Sequence, residues 1–255
     1  MKTKLTTIWK KASADATGFS AAAKQHLCAK LIGELGGTYA SALGIKLASM
    51  GSEEVFKWFL ASVLFGARIS EGIAVRTYKE FEKAHVLSPE AFLKTGWQGL
   101  VDILDRGGYV RHDFKTATRL LDMTEALKEK YEGDLNRLHF FAEDERDLEE
   151  KLQGLGKGIG PITVNIFLRE LRDLWEKAEP PLSEHAFLAS TNLGLTQATD
   201  ALAALEELKT ALEESEQGEE TFSDLEGALV KLGKNYCRKR RCSVCPIKEE
   251  CENPK

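Results

Sequence analysis

The chain reads as an all-α protein. Three observations predict this: apolar residues recur at three- and four-residue spacing along almost every segment, alternating β-branched runs are scarce, and the breaks are short and glycine-bearing, with only six prolines in 255 residues. Hydrophobic content of 43% and charged content of 29% are those of a folded globular chain long enough for one large or two modest domains. No apolar run reaches membrane-spanning length and no leader pattern follows Met1, so the expected compartment is the cytoplasm, with no membrane partner.

The predicted helices cover 21–35, 53–66, 71–84, 89–94, 97–104, 113–130, 145–153, 162–177, 184–193, 198–213 and 221–235. In the second, Val55, Phe56, Phe59, Leu60, Val63 and Leu64 fall on one face, Ser52 reads as the N-cap, and Glu53 and Glu54 suit the positive end of the helix. Ser88 before Pro89 pairs a capping hydroxyl with proline at the first helical position. Cys28 reads as a small buried residue on the first helix. Glycines at 36–37, 107–108 and 154–160 separate helices, while 178–181 and the acidic 213–220 read as looser connections. There is no internal repeat.

Four of the five cysteines, Cys237, Cys242, Cys245 and Cys251, fall within fifteen residues as C-x4-C-x2-C-x5-C. Thiolates so closely spaced converge on one centre through tight turns, and four sulfur ligands suit either a [4Fe-4S] cluster or tetrahedral zinc. With one cysteine left over, a disulfide framework is disfavoured and a reducing compartment expected. The first gap is wholly basic: Arg238, Lys239, Arg240 and Arg241. From Lys231 to Lys248 there are seven Lys or Arg and no Asp or Glu, so one face can be strongly positive although the whole chain carries −5.

The second informative stretch is Gly154-Leu155-Gly156-Lys157-Gly158-Ile159-Gly160-Pro161-Ile162-Thr163. One helix ends near Leu152 and the next opens after Pro161, which places Gly158–Gly160 immediately before a helix N-terminus. Glycine lets backbone N–H groups approach an anion, and the following helix points its positive end the same way. A dinucleotide-binding loop would need a preceding strand, and a P-loop needs a Gly-Lys-Ser/Thr run; neither is present here. A plain helix–helix turn is the alternative to a helix-hairpin-helix that grips a DNA backbone.

With both elements, the chain resembles the iron-sulfur branch of the helix-hairpin-helix DNA glycosylases, the endonuclease III-like superfamily, from about residue 50 to 252. Phe65-Gly66-Ala67-Arg68-Ile69-Ser70 and Gly107-Gly108-Tyr109-Val110-Arg111 are similar to the family's DNA-facing stretch and its glycine-tyrosine turn. The resemblance implies a two-domain fold, a six-helix barrel over 48–175 and a cluster domain built from 1–47 and 176–255, in a monomer that binds double-stranded DNA and so associates with the nucleoid. It implies a [4Fe-4S] cluster on the four cysteines, with zinc as the alternative. DNA contacts would come from Gly156, Gly158, Ile159, Gly160, Ile162 and Thr163 and from the loop Arg238, Lys239, Arg240 and Arg241. The implied activity is excision of a flipped, damaged or mismatched base.

Three departures narrow it. Where bifunctional members carry the Schiff-base lysine this chain has Ile162, so lysine-based lyase activity is not expected. In Pro181-Leu182-Ser183-Glu184-His185 the family's aspartate position falls on Ser183, with Glu184 beside it. Glu184 can supply the carboxylate, with Ser183 orienting a water, or the pair can simply cap the next helix. The first cysteine gap is four residues where the family has six. Two functions remain open: a monofunctional DNA N-glycosylase, and a non-excising protein that binds DNA lesions or DNA structures and keeps a structural cluster. An iron-sulfur redox protein without a DNA role fits the hairpin poorly. Trp97, Tyr109, Phe140 and Phe141 are aromatics able to stack on a base or to fill the core.

Overall fold

A computed structural model describes residues 21–110, 113–213 and 221–252. Twelve α-helices and no strand occur among them: α1 (Ala21–Leu35), α2 (Tyr39–Leu43), α3 (Ser52–Phe65), α4 (Glu71–Lys83), α5 (Pro89–Gly107), α6 (Asp113–Tyr131), α7 (Leu135–Phe140), α8 (Glu145–Gln153), α9 (Pro161–Arg169), α10 (Glu184–Asn192), α11 (Ala201–Glu213) and α12 (Phe222–Leu232). Arg111 of the glycine-tyrosine turn, most of the acidic 213–220 segment and the start of the chain lie outside the described residues.

Helices α3 and α9 run through the centre. Trp58 on α3 is fully buried and its indole N–H donates to the Phe167 carbonyl at 3.0 Å, while Phe167 meets Phe59 and Trp175 edge-on. Helices α4, α5 and α6 pack in sequence around this pair, and α7 and α8 complete that side. On the other side α12 packs between α1 and α10, so the N-terminal helix lies against the C-terminal ones, and Lys30 on α1 pairs with Glu250 beyond α12. Cys28 is buried in α1, as the sequence predicts.

Most boundaries follow local rules. Ser88 caps α5, accepting from the Ala91 N–H at 3.3 Å, with Pro89 at the first helical position. The two short helices expected at 89–94 and 97–104 form one helix kinked at Gly96, whose φ of 68° is open to glycine. Other boundaries differ. Ser52 is the first residue of α3 rather than its cap, a place taken by Gly51. The helix expected over 162–177 stops at Arg169. Its next residue, Glu170, turns inward so that its two carboxyl oxygens accept the Tyr39 and Ala40 N–H groups at 2.8 Å each, capping α2 from 130 residues away. The helix expected over 221–235 ends at Leu232 and continues as a π turn, Gly233–Cys237. Helices α2 and α7 were too short for a periodicity to be read.

Burial raises the Glu170 carboxyl to about 7, against the opposing pull of Arg169 and of the two N–H donors. A folded-state value above the ordinary 4.5 means that the stability this group contributes is complete below pH 4.5 and is lost as pH rises through 7. Urea unfolding of Glu170→Gln beside the wild type should therefore show the wild type losing ground between pH 4.5 and 7; a constant difference across that window would contradict the burial account.

Candidate nucleic-acid interface and cysteine centre

Helices α8 and α9 are joined by Gly154–Gly160. The turn is held by Leu155 and Ile159 N–H groups donating to Leu152 and Gly156 carbonyls at 3.2 and 3.3 Å. Gly158 has a φ of +102°, so the backbone calls for glycine, and a Cβ there would stand 3.1 Å from Arg119 Cδ and 3.2 Å from Nη1, which would have to give way. At Gly160, the N-cap of α9, no side chain accepts from the first-turn N–H groups, and a Cβ would meet open space. Uncapped donors at the positive end of a helix suit an anion.

The predicted hairpin residues divide by orientation. Gly158 and Ile162 face solvent, Ile162 at 70% exposure, and Gly160 is half-buried. Ile159 and Thr163 are buried, and Gly156 backs onto Met123 of α6, so these three can offer DNA only their backbone. Sequence reading missed what surrounds the turn: Lys115 and Arg119 from α6 stand with Arg68 and Lys157 around one cavity of about 410 Å³. Among the described residues none of the four pairs with a carboxylate. The i, i+4 spacing of Lys115 and Arg119 was the available signal.

The connection from α9 to α10 is pinned close to the hairpin. The Asn165 amide donates to the Pro181 carbonyl at 2.7 Å, and Arg172 donates to the Pro180 carbonyl. Ser183 then caps α10, its hydroxyl accepting from the Ala186 N–H at 3.3 Å, and Glu184 is exposed in the first turn. His185 is half-buried; burial, then the Arg238 charge, hold its imidazole below the usual range, and its Nδ1 has no hydrogen-bond partner among the described residues. Of the four aromatics, Tyr109 is buried against the 410 Å³ cavity. Trp97, Phe140 and Phe141 are exposed; Trp97 donates to Thr118 on α6, and Phe140 and Phe141 lie together at the end of α7.

All four cysteines of the array line a single pocket together with Asn192, Leu193, Leu232 and Ile247. Burial raises the Cys237 and Cys245 thiols, with the neighbouring thiols acting in the same direction, and Cys251 reaches the Asn192 carbonyl at 3.4 Å. Among the described residues no three His, Cys, Asp or Glu side chains are arranged to hold one metal ion. The 238–241 loop folds back by Arg240 and Arg241 N–H groups donating to Cys237 and Tyr236 carbonyls at 3.1 and 3.0 Å, with Arg240 at a φ of 51°. Of the seven cations between 231 and 248, three are engaged: Lys231 with the Gly36 and Gly37 carbonyls, Lys234 with Glu71 at 2.8 Å, Lys248 with Glu249. Arg238, Lys239, Arg240 and Arg241 are exposed and unpaired among the described residues, so the outward charge is the four-residue loop itself.

No described helix is long and apolar enough to cross a membrane. No protein-family model matches the chain. It is 24% identical over 196 residues to Endonuclease III of Rickettsia prowazekii (strain Madrid E), a stretch covering 76% of this chain and 81% of that protein. This distant similarity supports the resemblance to the helix-hairpin-helix glycosylase superfamily.

Proposed function

We propose that the chain binds double-stranded DNA as a monomer and excises a damaged or mismatched base as a monofunctional N-glycosylase. The observation that carries this is the uncapped start of α9 behind an open glycine turn, flanked by four cations that pair with no carboxylate among the described residues. Phosphates of one strand would lie on the Gly158 and Gly160 N–H groups and the uncapped first turn of α9, with Arg238, Lys239, Arg240 and Arg241 as a second grip on the same backbone. In this reading 48–175 forms the barrel, 1–47 and 176–255 form the cluster domain, and the protein works in the cytoplasm on the nucleoid.

Cys237, Cys242, Cys245 and Cys251 would hold a [4Fe-4S] cluster. The four thiols share one pocket, which suits four-sulfur ligation, with tetrahedral zinc as the alternative. Bound there, the cluster supplies a staple that sets the basic loop. Ile162 has no amine to form a Schiff base, so strand scission through that position is not part of the reaction. Glu184, exposed at the start of α10, is the carboxylate nearest the family's aspartate position; it would offset the positive charge that grows on the sugar as the base leaves.

A second reading is favoured by one observation. The Ser183 hydroxyl is committed to capping α10, so the position that normally holds the aspartate serves the helix. The chain would then be a non-excising binder of damaged or structured DNA.

Two variants separate the readings. Gly160→Glu enters open space and adds a negative charge where phosphate must approach, so it should weaken duplex affinity about tenfold or more at low salt. Unchanged affinity in a salt titration removes the hairpin grip. Glu184→Gln should abolish base release from a panel of lesion duplexes while binding persists. Normal excision by that variant ends the carboxylate role, and binding without any release by the wild type establishes the second reading. Iron and sulfide in near-equal amounts in the purified protein test the cluster.

A further inference from the structure

The 410 Å³ cavity beside the hairpin has a composition that a phosphate track alone does not call for. It lies between the end of α3, the first three turns of α6 and the hairpin turn, and none of Ser183, Glu184 and His185 lines it. Its volume falls within the ~300–1,000 Å³ of pockets that hold one small organic ligand, well above what a few waters fill. Arg68, Lys115, Arg119 and Lys157 supply four positive charges, with no acidic residue among the described residues of the lining. Like charges gathered around a recess repel one another, and a bound anion relieves that repulsion more strongly than it would at an open surface.

One of the cations lies against the hairpin turn. Arg119 runs close beside Gly158, which brings its guanidinium next to the turn. The rest of the wall is different in kind. Half-buried Val63 and Ala67, with the edges of the buried Leu120, Met123 and Tyr109, make part of it apolar. An inorganic anion has no use for such a wall, whereas a nucleobase does, because every base has an apolar π face.

We propose that this cavity is a second nucleotide pocket, which takes one nucleotide of a DNA strand, its phosphate on Arg119, Arg68, Lys115 and Lys157 and its base against Val63, Leu120, Met123 and Tyr109. The pocket rests on the DNA-binding reading above but is separate from the cleft at Ser183–His185. Holding a nucleotide there would draw it from the stack, and the binding energy of the phosphate would offset the unstacking.

The test uses the full-length protein and four probes: a deoxynucleoside 5′-monophosphate, the matching deoxynucleoside, inorganic phosphate and an undamaged duplex, titrated at low salt by calorimetry. The monophosphate should bind at least about tenfold more tightly than either the nucleoside or phosphate, because only it meets both kinds of wall. Arg119→Ala should weaken it about tenfold or more, and Val63→Phe, which fills the recess, should abolish it; thermal melting of each variant reports folding. Arg119 and Lys157 are partly or fully exposed, so Arg119→Ala and Lys157→Ala keep the test intact if Val63→Phe does not fold. Equal binding of monophosphate and phosphate, no monophosphate binding, or binding that survives both lysine and arginine variants overturns the pocket. Duplex affinity is read separately, so its loss with monophosphate binding retained counts against the DNA reading and not against the pocket.

Discussion

Replacing Gly233 with alanine should destabilise the protein by about 3 kcal/mol and release whatever the cysteine pocket holds, since overpacking a tight contact costs about 1–3 kcal/mol and more where neither side can yield. A Cβ at this position would lie 2.0 Å from the His185 carbonyl oxygen, 2.7 Å from its carbon and 3.0 Å from its Cα. These are backbone atoms, so no rotamer change makes room. Gly233 has ordinary helical φ and ψ of −58° and −47°, which leaves the close crossing of α12 over α10 as its sole requirement. The π turn that begins there ends at Cys237 and leads into the basic loop, so separating the two helices would also move the first thiol and Arg238. Urea unfolding gives the stability loss, and the iron and sulfide content of the purified variant gives the second effect. A variant with the wild-type unfolding midpoint would show that the crossing is not needed.

Arg172→Met should be at least as damaging, by about 3–5 kcal/mol, the usual cost of removing one partner from a buried ion pair. Arg172 Nε lies 2.8 Å from Glu226 Oε2, with the two side chains 2% and 0% exposed. The same guanidinium reaches Glu179 at 3.4 Å and donates to the Pro180 carbonyl. Methionine would leave a buried carboxylate whose other oxygen, Oε1, already has no hydrogen-bond partner among the described residues. It would also free the loop that leads to Ser183. Arg172→Lys should rescue little, because a point charge cannot reach Nε's and Nη's partners together. Arg172→Met combined with Glu226→Leu should recover most of the loss, and that recovery separates the stranded charge from the lost packing. A single variant that loses under about 1 kcal/mol would place the pair among solvated surface bridges.

Much of the fold could be read from short-range patterns. The i, i+3, i+4 faces of α1, α3, α6 and α12 are present in the residues themselves, and Ser88 and Ser183 cap the helices they precede because a cap is completed within three residues. The cysteine array was legible for the same reason: fifteen residues suffice to bring four thiols to one pocket. What misled was every place where a distant partner overruled local preference. The pattern after Pro161 continues helically past Arg169, yet Glu170 leaves it to cap α2, and nothing near residue 170 announces Tyr39 and Ala40. The basic run 231–248 looked like one positive face until Lys231 and Lys234 found acceptors at Gly36, Gly37 and Glu71.

By itself the sequence determined the all-α class, the position of the glycine hairpin, the convergence of the cysteines and the absence of a lysine at 162, because each depends on residue type and spacing over a few turns of chain. The tertiary structure decided which charges are free. It spent Lys231 and Lys234 on distant partners, turned Ile159 and Thr163 inward, and gathered Arg68, Lys115, Arg119 and Lys157 around one recess. Those outcomes rest on contacts between residues tens to nearly two hundred positions apart, and such contacts are set by how helices pack, which no local pattern encodes.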